Sequence, residues 1–428
     1  MSLLNWQEKP MATLADGGVI APDERLPWPQ TAAMGVQHVI AMFGSTVLAP
    51  ILMGFDPNLA ILMAGIGTLI FYFVTGGRVP SWLGSSFAFI GVVIAATAYA
   101  GKGPNAQVGL ALGGIIVCGL LYVGIGLVVQ AVGTRWIERL MPPVVTGSVV
   151  AVIGLNLAAI PVKNMAASNF DSWMQLVTFV CVAGVAVFAR GMVQRLLILV
   201  GVALATLIYL ALCNGLGLGK PMDFSGIAAA PWLGLPHFAA PVFSMPAITL
   251  IAPVVLILVA ENLGHLKAVT AMTGRDLDPY IGRAFIGDGL ATMVSGAAGG
   301  TGVTTYAENI GVMAATRIYS TAVFVAAACV ALVLGFSPKF GALIQAIPLP
   351  VMGGVSIVVF GLIAVAGARI WVDNKVDFSH NANLLTAAIT LILGTGDFTL
   401  KFGGFALGGI GTATFGAVLL HALLRRGT

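Results

Sequence analysis

Residues 299–311 read GGTGVTTYAENIG and place Glu308 in a Gly- and Thr-rich break between apolar segments. Residues 260–265 read AENLGH and place a second carboxylate, Glu261, inside an apolar segment earlier in the chain. A charged side chain at bilayer depth costs roughly 2.5 to 3.5 kcal/mol by insertion scales, so an ionisable residue there marks a functional site by default. We therefore expect Glu261 and Glu308 to share one site.

The composition is that of a polytopic membrane protein. Of the 428 residues, 58% are hydrophobic and 8% are charged, whereas soluble domains carry about 25% charged residues. The net charge of +4 is small and scattered, so nucleic acid is not expected as a partner. The cysteines lie in apolar segments without CxxC spacing, and no nucleophile with its base and no HExxH motif is present. We expect neither a metal or cofactor nor enzymatic activity.

Fourteen apolar segments follow a polar N-terminal region. A bilayer core of about 30 Å requires around 20 apolar residues per helix, and Gly, Pro or charged residues separate the segments. We predict an all-α protein with fourteen transmembrane segments: 30–50, 57–75, 84–100, 107–131, 143–162, 172–189, 195–214, 244–265, 281–298, 306–314, 318–337, 350–368, 381–396 and 403–424.

The distribution of basic residues supports this count. Lys and Arg favour the cytoplasmic side of a membrane. With a cytoplasmic N-terminus, fifteen of the 20 Lys and Arg residues fall on the inner side, and every Arg is among them. The five on the outer side are Lys102, Lys163, Lys220, Lys339 and Lys401. We therefore predict that both termini are cytoplasmic.

The third and tenth segments are interrupted and lie seven segments apart. Because seven is odd, the second set of seven begins on the opposite side, which predicts a 7+7 inverted repeat. Residues 79–89 (VPSWLGSSFAF) and 302–308 each read as a short strand that leads into a half-helix. Extended backbone at this depth needs hydrogen-bond partners, so we expect the two strands to pair. Their half-helices would then direct free N–H groups at a midplane substrate with carbonyl oxygens.

Several polar and aromatic side chains accompany this break. Glu261 and His265 are four residues apart, hence on one helix face, and could accept and relay a proton or merely hold two helices together. Glu308 in a first helical turn is a substrate ligand or a helix cap. Phe87 offers a ring to a planar ligand or packs as ordinary core. Lone polar groups elsewhere are supporting candidates or packing residues: His38, Ser86, Asp288 and Asn309.

The motifs resemble those of the nucleobase/ascorbate transporter family. Residues 308–317 (ENIGVMAATR) resemble its signature of Gln, Glu or Pro, then Asn-x-Gly, four residues, Thr and a basic residue. Gln37-His38 resembles the first-helix motif and residues 260–265 the eighth-helix motif. Residues 84–89 (GSSFAF) and 347–355 (IPLPVMGGV) are similar to bacterial uracil permeases in particular. The similarity extends over nearly the whole chain from Gln30 onward.

This resemblance implies a core domain that moves against a gate domain, in a homodimer of the inner membrane. The implied division is a cytoplasmic tail (1–29), a first core part (30–131), a first gate part (132–214), an extracytoplasmic loop (215–243), a second core part (244–337) and a second gate part with a short tail (338–428).

The resemblance also implies roles for individual residues. Glu261 and Glu308 would hold ring N–H groups of a nucleobase, and amides near Phe87, Tyr306 and Ala307 would meet its carbonyls. Proton uptake at Glu261, supported by His265, would couple to transport. These roles imply a proton-coupled symporter.

In the usual pattern of the family that the chain resembles, Glu rather than Gln at position 308 favours uracil or a close pyrimidine over xanthine or urate. A carboxylate only accepts hydrogen bonds and so suits ring N–H donors, whereas an amide also donates. Phe360 is also expected among the substrate-binding residues. Two residues depart from the usual pattern: Ala307 replaces a Gly and narrows the site, and Phe360 replaces a Tyr of uracil permeases and removes a hydroxyl that could bind substrate. A xanthine or purine permease of the same family is the alternative. An anion transporter of related fold would be expected to carry basic or neutral residues in place of the two glutamates.

Overall fold

The computed structural model describes residues 4–15, 17–101, 103–402 and 405–425. Lys102, which entered the count of basic residues, lies outside the described residues. So do parts of the predicted tail (1–3 and 16) and of the predicted second gate part (403–404 and 426–428).

The described chain is mostly helical. Its α-helices are α1 (Ala12–Ala15), α2 (Trp28–Met53), α3 (Pro57–Val74), α4 (Ile90–Thr97), α5 (Val108–Val132), α6 (Arg135–Leu140), α7 (Pro143–Leu157), α8 (Asn169–Phe188), α9 (Met192–Arg195), α10 (Leu197–Leu210), α11 (Ser225–Ala229), α12 (Met245–Ile251), α13 (Val254–Thr273), α14 (Ile281–Ala298), α15 (Ala307–Thr316), α16 (Thr321–Gly335), α17 (Pro338–Gln345), α18 (Leu349–Asp373), α19 (Asn381–Thr395) and α20 (Gly409–Leu424). Tighter or wider helical turns occupy Phe87–Phe89, Ile160–Asn164, Ala211–Gly215 and Asp278–Tyr280. The strands are β1 (Gln7–Glu8), β2 (Glu24–Arg25), β3 (Leu83–Ser85), β4 (Val303–Thr305), β5 (Leu400–Phe402) and β6 (Phe405–Leu407).

Each of the fourteen segments predicted from the sequence overlaps at least one of these helices. Within the described ranges, 8 helices are long and apolar enough to cross a membrane, or 9 if the bent pair α16 and α17 counts as one span. Five predicted segments fall outside the larger count. Those of α4, α19 and α20 contain shorter apolar helices. The other two contain α14 with 18 residues and α15 with 10 residues, and neither helix is among those spans. The crossing of the membrane by all fourteen segments stays a prediction.

The two predicted strands exist and pair with each other. Strand β3 runs antiparallel to β4, with Leu83 opposite Thr305 and Ser85 opposite Val303. The ladder continues at both ends, where Ser86 N–H donates to the Gly302 carbonyl at 2.9 Å and Tyr306 N–H to the Trp82 carbonyl at 3.1 Å. The backbone of both strands is thereby satisfied inside the protein, as burial at membrane depth requires.

Gly84 is needed where the strands meet Tyr306. A Cβ atom at position 84 would lie 2.6 Å from the Tyr306 ring, which is closer than any ordinary carbon contact. The same ring is fixed at its far end, because the Tyr306 hydroxyl donates to the Ser85 carbonyl at 2.7 Å. The strand pair and Tyr306 therefore form one close-packed unit.

The long helices pack in two groups. In one group α5 packs along α14 and α3 packs against both α14 and α16; in the other α7 packs against α18, α19 and α20. Each group combines helices from the first and second halves of the chain. Strands β3 and β4 lie in the first group, against α3 and α14.

The prediction of an all-α chain is incomplete, because β1, β2, β5 and β6 also form. Strands β1 and β2 pair in parallel, and β5 and β6 pair antiparallel. Residues 405–407, assigned from the sequence to the last segment, belong to β6, and α20 begins only at Gly409. A short apolar run fits either a strand or the start of a helix, so composition alone could not separate the two.

The region predicted as a tail is folded against the helices. Trp6 is buried, and its indole N–H donates to the Thr321 hydroxyl at 2.9 Å. Ile20 forms a parallel bridge with Ile318, between α15 and α16. The sequence predicted a tail here without contacts to the helices, because its partners lie about 300 residues further along the chain, at Ile318 and Thr321.

Candidate functional site

A cavity of about 850 Å³ lies where the helical turns after β3 and β4 meet α13. This volume is within the usual range for small-molecule sites. Predicted site residues that line the cavity are Ser86, Phe87, Glu261, His265, Tyr306, Ala307 and Glu308. Within the described ranges, no group of His, Cys, Asp and Glu side chains could hold a metal ion.

The cavity extends from the two glutamates to one surface of the protein. Lys267 and Glu138 also line it, and their side chains are 42% and 45% exposed. Arg369 and Asp373 line the same part of the cavity and are more exposed still. A solute can therefore reach Glu261 and Glu308 from this surface.

Glu308 is held by the first long helix. The Ser45 hydroxyl of α2 donates to Glu308 Oε1 at 2.6 Å. Glu308 lies in the first turn of α15, whose N-cap is Tyr306. The alternative that Glu308 caps this helix stays a prediction. The first N–H groups of any α-helix lack intrahelical acceptors, so Ala307 and Glu308 present free amide donors beside this carboxylate.

Glu261 projects from α13 into the same cavity. Its Oε2 atom is buried, and none of the described residues hydrogen-bonds to it. A buried polar atom without a partner is costly. Such an oxygen is suited to accept a hydrogen bond from a bound N–H group or to take up a proton.

His265 does not contact Glu261 through a hydrogen bond. Its Nδ1 atom instead lies 3.0 Å from the Thr305 hydroxyl, and no described hydrogen bond joins the two residues. The spacing of four placed both side chains on one face, as expected, but β4 supplies a nearer partner to the imidazole. The role of His265 in supporting proton uptake at Glu261 stays a prediction, and the hydrogen-bond partner that the structure gives His265 is the Thr305 hydroxyl of β4.

A buried hydrogen-bond network continues from His265 behind the cavity. The Thr305 hydroxyl donates to Asn262 Oδ1 at 3.2 Å, and Asn262 Nδ2 donates to Asp288 Oδ2 at 2.5 Å and to the Tyr122 hydroxyl at 2.9 Å. The Thr305 hydroxyl directs its proton to Asn262 and can therefore only accept from His265. His265 accordingly donates from Nδ1 and keeps Nε2 as an acceptor. Asp288 and Asn262 are fully buried.

His38 of α2 and Asn309 of α15 lie outside the lining of the cavity. Asn309 Nδ2 and His38 Nδ1 are 2.8 Å apart, and both residues are fully buried. The His38 ring also packs on Phe324, with centroids 4.8 Å apart. This pair joins α2 to α15, as the contact between Ser45 and Glu308 does. Whether His38 supports the site or only packs the two helices stays a prediction.

Of the aromatic candidates, some line the cavity and others pack behind the residues that line it. Phe87 lines the cavity, whereas Phe360 is 1% exposed and meets the edge of Phe87 with ring centroids 6.1 Å apart. The Tyr306 amide donates to the Trp82 carbonyl, so its predicted use as a substrate donor is wrong because the strand ladder occupies it. The Ser86 hydroxyl accepts from Ala88 N–H at 3.3 Å and caps the turn that begins at Phe87.

Sequence comparison identifies the family. The Xan_ur_permease family model, described as a permease family, matches residues 29–402. The chain belongs to this family of nucleobase/ascorbate transporters. It is accordingly a multi-pass membrane permease and not an enzyme.

Two curated relatives of this permease cover nearly its full length. A protein of Escherichia coli (strain K12) named "Putative pyrimidine permease RutG" is 68% identical, over 99% of this chain and 95% of the relative. The "Uracil permease" of Paenibacillus larvae is 42% identical, over 94% of this chain and 96% of the relative. Among solved structures, the transmembrane domain of the cyanobacterium bicarbonate transporter BicA matches with a TM-score of 0.63 and 16% identity, covering 86% of this chain and 96% of that chain. At this identity the match concerns the fold alone.

Proposed function

We propose that this permease is a proton-coupled symporter that imports uracil or a close pyrimidine. The observation that carries the proposal is that Glu261 and Glu308 line one cavity beside the N-terminal ends of two interrupted helices. Relatives named uracil and pyrimidine permeases over nearly the whole chain support it.

The cavity offers the donors and acceptors that a uracil ring requires. The ring has N–H groups, which the carboxylates of Glu261 and Glu308 accept, and carbonyl oxygens, which the free amides of Phe87, Ala307 and Glu308 meet. The Phe87 ring packs against the planar heterocycle. A proton taken up by Glu261 neutralises a charge that would otherwise be buried when the site closes. This neutralisation couples substrate movement to proton movement.

Alternating access follows from movement of a core domain (30–131 and 244–337) against a gate domain (132–214 and 338–428). A second cavity of about 1220 Å³ supports this part of the proposal. Ser86 and Phe87 line the first cavity, and Ile94 and Tyr99, beyond them on the same broken segment, line the second. An interrupted helix with a cavity at each end is suited to expose one site to either side in turn.

The remaining parts of the proposal concern the arrangement in the membrane. Both termini are cytoplasmic, the chain crosses the inner membrane fourteen times as a 7+7 inverted repeat, and two copies associate as a homodimer. The pairing of β3 with β4, one from each half, supports the inverted repeat.

An experiment with purified protein in proteoliposomes tests this function. Labelled uracil should accumulate under an inward proton gradient, and uptake should collapse when the gradient is abolished by a protonophore. Excess unlabelled uracil should compete strongly and xanthine or hypoxanthine weakly. Stronger competition by the purines would replace the proposal with the alternative of a purine permease, and competition by bicarbonate alone would indicate an anion transporter.

A further inference from the structure

The N-terminal residues 6–15 and 17–26, here called the N-terminal clasp, contact the C-terminal ends of both helices that carry the site glutamates. Glu261 belongs to α13, which ends at Thr273, and Glu308 belongs to α15, which ends at Thr316. The clasp is far from Glu261 and Glu308 along the sequence, and none of its residues lines the cavity.

The clasp fixes the end of α15 through backbone hydrogen bonds. Arg317, which follows α15, has a left-handed backbone with φ of 58°. Ile20 N–H donates to the Arg317 carbonyl at 3.0 Å, and the Ile20 carbonyl accepts from Tyr319 N–H at 2.7 Å. These two bonds flank Ile318 and hold an otherwise unfavourable turn in place.

A small apolar cluster reinforces these bonds. Ile20 and Leu26 of the clasp are fully buried against Ile318 and Val323, which precede and begin α16. Thr321 adds polar contacts, because its hydroxyl donates to the Pro22 carbonyl at 2.8 Å and accepts from the Trp6 indole. The clasp therefore holds the α15–α16 junction through both apolar packing and hydrogen bonds.

The clasp reaches the end of α13 through an ion pair. Asp23 Oδ1 lies 2.5 Å from Arg275 Nη2, and Arg275 directly follows Gly274, the C-cap of α13. Both partners are partly exposed. One short segment thus joins the ends of α13 and α15.

We propose that the N-terminal clasp is a positioning element that sets the placement of Glu308 relative to Glu261 and thereby the affinity for the nucleobase. The inference rests on the proposed function. Helix α15 has 10 residues and is therefore a rod of about 15 Å, so a tilt at its anchored C-terminal end moves Glu308 in its first turn. Small displacements of liganding groups are sufficient to weaken binding.

Two neighbouring positions provide a matched test. Ile20 is fully buried, whereas Val19 is 42% exposed, so Ile20→Asp should detach the clasp and Val19→Asp should leave it in place. We expect Ile20→Asp to raise the Kd for uracil about two- to thirtyfold in folded protein measured by calorimetry. Val19→Asp should keep the Kd of the wild type.

A charge exchange provides a second test that does not introduce a buried charge. Asp23→Arg and Arg275→Asp should each raise the Kd for uracil about two- to fivefold, the range for an exposed ion pair, and the double variant should restore it. The control is Glu8→Gln, which removes the negative charge from the 2.7 Å ion pair between Glu8 and Arg25 inside the clasp and should leave the Kd unchanged.

The outcomes separate positioning from a purely structural role. If folded Ile20→Asp binds uracil as the wild type does and only its Tm falls, the clasp does not position the site. If Ile20→Asp yields no folded protein, the charge exchange decides, and failure of the double variant to restore affinity overturns the inference. Binding of uracil by the wild type tests the proposed function separately. If the wild type binds another nucleobase instead, the ratio of the Kd values of Ile20→Asp and Val19→Asp for that nucleobase tests the clasp in the same way.

Discussion

Ser45 and Glu308 form a hydrogen bond of 2.6 Å that joins α2 to the first turn of α15. Ser45 is almost fully buried, so water cannot easily replace its hydroxyl. The contact occupies one carboxylate oxygen and leaves the other to accept a hydrogen bond. The orientation of Glu308 in the cavity thus depends on a residue from the opposite half of the chain.

We predict that Ser45→Ala weakens uracil binding by about tenfold, because a hydrogen bond to a charged group contributes about 1.5 kcal/mol or more. The measurement is the KM of uracil uptake in proteoliposomes. Ser148→Ala is the matched control, since the buried Ser148 hydroxyl donates only to the Val144 carbonyl of its own helix. An equal change of KM in both variants would mean that the hydroxyl of Ser45 does not orient Glu308.

We predict that Glu261→Gln folds normally but no longer concentrates uracil under an inward proton gradient. Glutamine keeps an acceptor oxygen of similar size but cannot take up the coupling proton. Counterflow exchange of labelled for unlabelled uracil, which needs no net proton movement, should persist. Asp373→Asn, which alters an exposed carboxylate at the mouth of the same cavity, should accumulate uracil as the wild type does. Concentrative uptake by Glu261→Gln would exclude Glu261 as the coupling residue.

We predict that Glu308→Ala abolishes measurable uracil binding, because it leaves a ring N–H group of the substrate unpaired in a desolvated site. Glu308→Gln should retain part of the affinity, since its amide oxygen still accepts a hydrogen bond. Isothermal titration with uracil distinguishes the two variants. Retention of wild-type affinity by Glu308→Ala would remove Glu308 from the proposed site.

We predict that Gly84→Ala lowers the free energy of unfolding by about 1–3 kcal/mol, the usual cost of overpacking a core. The added methyl group would lie 2.6 Å from the Tyr306 ring and must displace it from the strand pair. Gly124→Ala, in α5, is the control because a Cβ atom there meets nothing within 4 Å. Thermal unfolding in detergent measures both, and equal Tm values for the two variants would contradict the close packing of Gly84.

Much of the site could be predicted from the sequence because its features are local. The Ser-containing interruption at residues 79–89 and the Gly- and Thr-rich interruption at residues 299–311 identified the paired strands. Carboxylates inside apolar segments identified Glu261 and Glu308, since desolvated charge is too costly to be accidental. These signals need only the order of residues within one segment.

The contacts that the sequence did not reveal join segments that are far apart. Ser45 and Asn262 are small polar residues of a kind that helices often satisfy internally, and only the fold shows that one meets Glu308 and the other meets Asp288. The Tyr306 amide could not be assigned without the register of the strand ladder. Periodicity predicts which face of a helix is buried, whereas the partner on that face depends on tertiary packing.

The distance along the chain between β3 and β4 has a consequence for biogenesis. Leu83–Ser85 leaves the ribosome long before Val303–Thr305 has been synthesised, so its main-chain polar groups lack their partners while most of the protein is still being made. Lipid cannot satisfy these groups. The main-chain groups of β3 therefore need other hydrogen-bond partners until β4 has been synthesised, and the strand pair forms only after that point.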